Sequence, residues 1–193
     1  MNRPLVLIWL ERLFLASLLV FALYRLGPQI QAWTGVGPDL GRAPSYVFTA
    51  LDGSPIISDS LTGNVVVLNF WATWCGPCKL EMPALQNLHE ERADNGVLVL
   101  GLTTDTGHEA EIKKFLDTRG ITYPVGRATY AHRSAFGGIN AIPTTFIIDR
   151  NGIVQHRVIG YFAPPAMRAA VDRLLSDRQS VRSSSSAGII SDQ

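Results

Sequence analysis

The sequence predicts an α/β domain, a mixed sheet with helices on both faces, preceded by an N-terminal membrane helix. Three observations carry this. Two apolar runs rich in β-branched residues, Val65–Trp71 and Val97–Leu102, are each followed by a helical pattern. In series, such units imply a parallel strand pair joined by a crossover. The second half then reads strand, hairpin and helix, adding antiparallel strands to the sheet. Ahead of both, Glu11 and Arg12 are the only charged residues from Leu5 to Tyr24. Twenty helical residues span about 30 Å, the thickness of a bilayer core.

Taken in order, residues 1–26 read as a transmembrane anchor or a signal segment. Leu13 to Tyr24 has the length of a signal core, but Tyr24, Arg25 and Leu26 make a poor cleavage site. An amphipathic or buried helix is the third reading. Arg3 and the terminal amine set the N-terminus inside and the domain outside. Residues 27–43, rich in Gly and Pro, form a linker.

The domain proper is expected over 44–176. Ser45–Ala50 is a short strand, Leu51-Asp52-Gly53 a turn, and Ile56 and Ile57 begin a return strand. Val65–Trp71 reads as a central strand buried on both faces. A helix starts at Cys75 or Gly76, with Met82, Leu85 and Leu88 on its apolar side and Pro83 as a kink. Val97–Leu102 is the next strand. Thr106 with Glu109 predicts a capping box for a helix that buries Ile112, Phe115 and Leu116 and stops at Gly120. A short strand at Ile121–Val125 and a brief helix near Tyr130–Phe136 follow. Thr144–Ile148 and Ile153–Ile159 flank Asp149-Arg150-Asn151-Gly152, a hairpin signal. Pro164-Pro165 opens a last helix with Met167, Ala170, Val171, Leu174 and Leu175 on one face. Residues 177–193, with four serines in a row, read as a disordered tail.

Composition narrows the chemistry. With 193 residues, 47% apolar and 17% charged, the chain suits one domain with a real core. A net charge of +1 without a dense basic stripe argues against a nucleic-acid partner. The two cysteines are too few for a disulfide framework, and His89, His108, His132 and His156 are too scattered to complete a metal site. Lys79 stands where a c-type haem attachment needs histidine. No metal or cofactor is expected, and the pair reads as redox-active. Cys75 closes the loop leaving a buried strand and sits at a helix N-terminus, where unpaired amides and the macrodipole favour a thiolate. It is the expected nucleophile. Cys78, one turn later, is the resolving thiol that breaks the mixed disulfide. Gly76 and Pro77 permit the tight turn and start the helix without wasting a donor. Trp74 provides an apolar wall.

The segment NFWATWCGPCKLEMP, with Ile142-Pro143-Thr144 downstream, resembles thioredoxins. It is most similar to their membrane-anchored or periplasmic thiol:disulfide oxidoreductases, the TlpA/ResA/CcmG-DsbE-like group. The resemblance covers roughly Ala43 to Ser176. It implies a thioredoxin-like fold, and Pro143 as a cis-proline facing the cysteines. It makes Ile142, with Trp74, Gly76 and Pro77, the substrate-docking surface. It also implies Glu81 as proton acceptor for Cys78. Asn69 stands where cytoplasmic thioredoxin has a buried aspartate, and an amide cannot exchange a proton near neutral pH. The implied activity is extracytoplasmic reduction of protein disulfides, as in cytochrome c maturation, with apocytochrome c among the substrates. A membrane electron-donor protein is the implied partner, and the implied location is the bacterial inner membrane with the domain in the periplasm (or a cleaved periplasmic form). Three alternatives stay open: a disulfide oxidase or isomerase, a thiol peroxidase using Thr73, and a redox-inactive assembly protein. Lys79 reads as a solvated helix residue and Trp71 as core.

Overall fold

The computed structural model describes Trp9, residues 12–18 and residues 41–187, with side chains to Ser176. Its elements are β1 (Val47–Thr49), β2 (Pro55–Ile57), β3 (Val65–Trp71), α1 (Gly76–Arg92), β4 (Val97–Thr103) and α2 (Glu109–Asp117). They continue with β5 (Val125–Arg127), α3 (Tyr130–Ala135), β6 (Thr144–Ile148), β7 (Val154–Ile159) and α4 (Pro164–Ala187).

Five strands form the main sheet in the order β5-β4-β3-β6-β7. β3 lies at its centre, parallel to β4 and antiparallel to β6. All seven β3 residues are buried, which is why that segment reads as a near-continuous apolar run. Because side chains alternate along a strand, Val65, Val67 and Trp71 join one core with Met82, Leu85 and Leu88 of α1, Ile112 of α2 and Met167 of α4. Val66, Leu68 and Phe70 join the other, with Tyr46 and Phe48 of the β1 segment and Phe136 after α3. Asn69 and Thr145 are register partners on β3 and β6. By the same alternation they face α1.

The β1–β2 hairpin docks on the sheet edge through the bridge between Ala50 and Gly126. A Cβ at Gly126 would run into the Phe48 ring and come within 2.9 Å of the Thr49 carbonyl oxygen. Gly126→Ala is therefore expected to lower stability by about 1–3 kcal/mol through overpacking. Urea denaturation of the disulfide form measures it. An unchanged midpoint would refute the close fit.

The structure corrects several expectations. No helix among the described residues is long and apolar enough to cross a membrane. Within 5–24 the described part is Trp9 and the helical residues 12–18. The rest of that span lies outside the described residues. The fold class shown is thus the thioredoxin-like mixed sheet, with no membrane-spanning helix among the described residues. The transmembrane keyword, the membrane partnership through residues 5–24, the membrane electron-donor protein and the inner-membrane location fall with it.

Other differences are local. Residues 27–40 of the expected linker lie outside the described residues, and the chain already pairs with Ile153 at Arg42. The Thr106–Glu109 capping box does not form: α2 begins at Glu109 with His108 at its N-cap and no side-chain cap. Arg127 takes the carbonyls of Asp105 (3.1 Å) and Gly107 instead, which holds this loop away from a capping geometry. The strand expected at 121–125 shifts to Val125–Arg127, because Ile121 and Tyr123 turn into the core. Helix α1 continues through Pro83, which sits on its exposed side. Helix α4 extends beyond Ser176 to Ala187.

Candidate active site

The site begins where β3 ends. The chain turns through Ala72, with the Cys75 amide donating to the Ala72 carbonyl at 3.2 Å, and Cys75 becomes the N-cap of α1. Cys75 and Cys78 are joined in a disulfide. The Cys78 amide donates to the Cys75 sulfur at 3.2 Å. No acidic residue occupies the first turn of α1, so nothing there opposes the positive end of its dipole. Once reduced, Cys75 therefore has both a direct donor and a favourable field for its thiolate. Both cysteines are buried, Cys75 4% exposed and Cys78 1%. Gly76 and Pro77 lie open beside them, and Trp74 is 71% exposed.

Pro143 is buried and follows a cis Ile142–Pro143 bond. Its carbonyl accepts from the Gly160 amide at 2.7 Å. Among the described residues nothing hydrogen-bonds to the Ile142 backbone. Ile142 is half-buried against both cores, leaving an edge that an extended chain can pair with.

Behind the cysteines lies a polar strip within the apolar core. Glu81, one turn beyond Cys78, is completely buried. Its Oε1 accepts from the Thr145 hydroxyl at 2.8 Å, and that hydroxyl accepts from the Asn69 amide at 2.9 Å. Its Oε2 has no hydrogen-bond partner among the described residues, though the Phe162 amide is close enough to favour the anion. Burial dominates, and it pushes the carboxyl up to about 7 against the help of Thr145 and Phe162. Tyr123, buried beside this group, has its phenol pushed up by burial and by the Glu81 charge. The arrangement can hold or release a proton near neutral pH, close under the cysteines.

Cys75, Cys78 and Glu81 thus lie along the start of α1, and Asn69 reaches Glu81 through Thr145. Ile142 packs against the core that holds both cysteines, and Trp74, Gly76 and Pro77 are exposed beside them. Lys79 is more than a solvated residue: its ammonium lies 5.9 Å from the Phe115 ring centre, and Phe115 stacks on Trp71. Sequence reasoning missed Thr145 and Asp105. Thr145 had a readable signal, since it follows Thr144 in a strand that alternates about Phe146. Asp105 had none, because its partner Thr73 lies 32 residues away. Among the described residues no cluster of His, Cys, Asp and Glu is placed to hold a metal.

Comparison with known proteins agrees with this geometry. Residues 41–157 match the AhpC/TSA family. Thiol-disulfide oxidoreductase ResA of Bacillus anthracis is 36% identical over 119 residues, covering 62% of this chain and 68% of that protein. Thioredoxin-like protein YneN of Bacillus subtilis is 32% identical over 132 residues, covering 68% of this chain and 77% of YneN. Among solved structures, a thiol:disulfide interchange protein of the thioredoxin family from Chlorobium tepidum superposes with a TM-score of 0.65. It shares 34% identity and covers 70% of this chain and 96% of that one.

Proposed function

The chain belongs to the AhpC/TSA family of the thioredoxin superfamily and is a thiol–disulfide oxidoreductase, and from that premise we propose that it reduces disulfides in partner proteins. The observation that carries the chemistry is the placement of a buried, readily protonated Glu81 one turn behind a cysteine pair at a helix N-terminus. In the forward reaction the Cys75 thiolate attacks one sulfur of the partner's disulfide. A Cys75–partner disulfide forms, and the other partner sulfur leaves as a thiolate. Cys78 then gives its proton to Glu81 and attacks the Cys75 sulfur. The Cys75–Cys78 bond forms, and the partner departs with both sulfurs reduced. An external dithiol restores the pair. The open Ile142 backbone would hold the partner as an added strand, with Trp74 covering its side chains.

The reducing direction follows from the Gly-Pro pair between the cysteines. The expected reduction potential lies nearer the thioredoxin value of about −270 mV than the oxidant value of about −120 mV. Equilibration with a glutathione buffer measures it. A value near the oxidant end would replace this reading with disulfide formation. A peroxidase would need the Thr73 hydroxyl turned to the attacking thiol's substrate, and here that hydroxyl donates to Asp105 at 2.8 Å.

A further inference from the structure

Two loops leave the central strands side by side, one carrying Cys75 and the other leading to α2. They are stitched together at two levels. The Trp71 carbonyl accepts from the Thr104 amide at 2.8 Å and the Thr104 hydroxyl at 3.2 Å. Two residues on, the Asp105 carboxylate takes Thr73 with both oxygens: Oδ2 from the Thr73 amide and Oδ1 from its hydroxyl, each at 2.8 Å. The fork is itself held. The Thr103 hydroxyl donates to Oδ2 at 2.6 Å, and the Asp105 amide donates back to Thr103 at 3.2 Å. Arg127 on β5 then fixes the Asp105 carbonyl.

Thr73 stands two residues before Cys75, in the loop whose last turn is closed by the contact between Ala72 and Cys75. A carboxylate is an unlikely neighbour for a centre that works as a thiolate, since its charge alone disfavours a second anion. Its geometry explains its presence. A bidentate acceptor fixes both the position and the tilt of the Thr73 peptide, which a single neutral acceptor does not. We propose that Asp105 is a positioning residue for Cys75: it pins the loop at Thr73 so that the attacking sulfur stays over the open amides of α1 throughout the cycle. The inference rests on Cys75 being the attacking thiol.

The test uses the reduced full chain, alkylated with iodoacetamide across pH, with the modified cysteine identified by mass spectrometry. Loss of the fork by Asp105→Ala is expected to move the Cys75 alkylation midpoint up by about one pH unit. That makes modification roughly tenfold slower at neutral pH. Asp105→Asn keeps an acceptor for the Thr73 amide and offers its own amide to the Thr73 hydroxyl. It should hold the midpoint at or below the wild-type value. The other charged or titratable groups near the two loops include Cys78, Lys79 and Glu81 of α1, Glu109 and Glu111 of α2, Arg119 after α2, Tyr123 and Arg127 near β5, and Tyr161 after β7. All stay in place in these variants. An unchanged midpoint in Asp105→Ala overturns the proposal. A lowered one does too, because it would mark Asp105 as a through-space charge only. Should Asp105→Ala fail to fold, Thr73→Val removes just the hydroxyl arm. A smaller upward shift then supports the proposal, and no shift overturns it. First modification at Cys78 in the wild-type chain would instead overturn the assignment of Cys75 on which the inference rests.

Discussion

Cys78→Ser is expected to turn a transient covalent step into a stable product, with the partner protein held on Cys75 through a mixed disulfide that non-reducing electrophoresis resolves. The reasoning is one of access and of missing chemistry. Cys75 remains at the helix N-cap, beside the exposed Gly76 and Pro77. The first displacement therefore proceeds. The second requires a thiolate one turn deeper, and a serine hydroxyl is too poor a nucleophile at neutral pH to replace it. Turnover should fall to the uncatalysed level, while Cys75→Ser should abolish both turnover and the trapped species. A trapped species of equal yield in Cys75→Ser would reverse the roles of the two sulfurs.

Glu81→Gln is expected to change the pH dependence of stability as much as the chemistry. In the disulfide form neither cysteine titrates, which leaves Glu81 as the buried acid whose state differs most between folded and unfolded chains. Its ordinary value of 4.5 rises to about 7 in the fold. Between these values the unfolded chain has already released its proton while the folded one retains it. The Glu81 contribution to folded stability therefore falls as pH rises through that window, and is flat below it and above it. The shift corresponds to about 3 kcal/mol. The difference in unfolding free energy between Glu81→Gln and wild type should thus grow by about that much from pH 4 to pH 8.5. Any constant cost of burying the glutamine amide cancels in this comparison. Denaturant titrations at several pH values provide the measurement, and parallel profiles would remove Glu81 as a buried proton site. In the dithiol form the same substitution should slow attack by Cys78 roughly 10²-fold, the range of general base catalysis. The lifetime of the mixed disulfide reports that rate.

The sequence made parts of this molecule legible for identifiable reasons. Strand β3 could be bounded from Val65 to Trp71 because burial on both faces leaves a composition that little else produces. Helix α1 could be started at Gly76 because Gly-Pro after a strand fits a first helical turn, and α4 because its apolar residues recur at helical spacing. Glu81 and Pro143 came through resemblance, since neither its burial nor a cis bond is written in a single residue. What stayed hidden depends on distant partners. Asp105 sits among threonines and reads as a polar loop until β3 brings Thr73 alongside. Thr106 and Glu109 have the spacing of a cap, yet the backbone they would cap is held by Arg127 from another strand. Ile121 to Tyr123 looks like strand because it is apolar, although its side chains serve the core without joining the ladder. The N-terminal apolar stretch was read on length alone, and no helix among the described residues is long and apolar enough to cross a membrane.

The sheet also divides the labour of the protein. Phe70 packs edge to face on Phe136 and Phe146, and Phe136 is tilted against Phe146 and Tyr46, on the side opposite the cysteines, while the Asn69–Thr145–Glu81 chain occupies the other. The two cores meet at Ile142, which packs against both. Tags, tethers or thermostabilising substitutions placed behind the aromatic layer, away from Ile142, should leave electron transfer untouched.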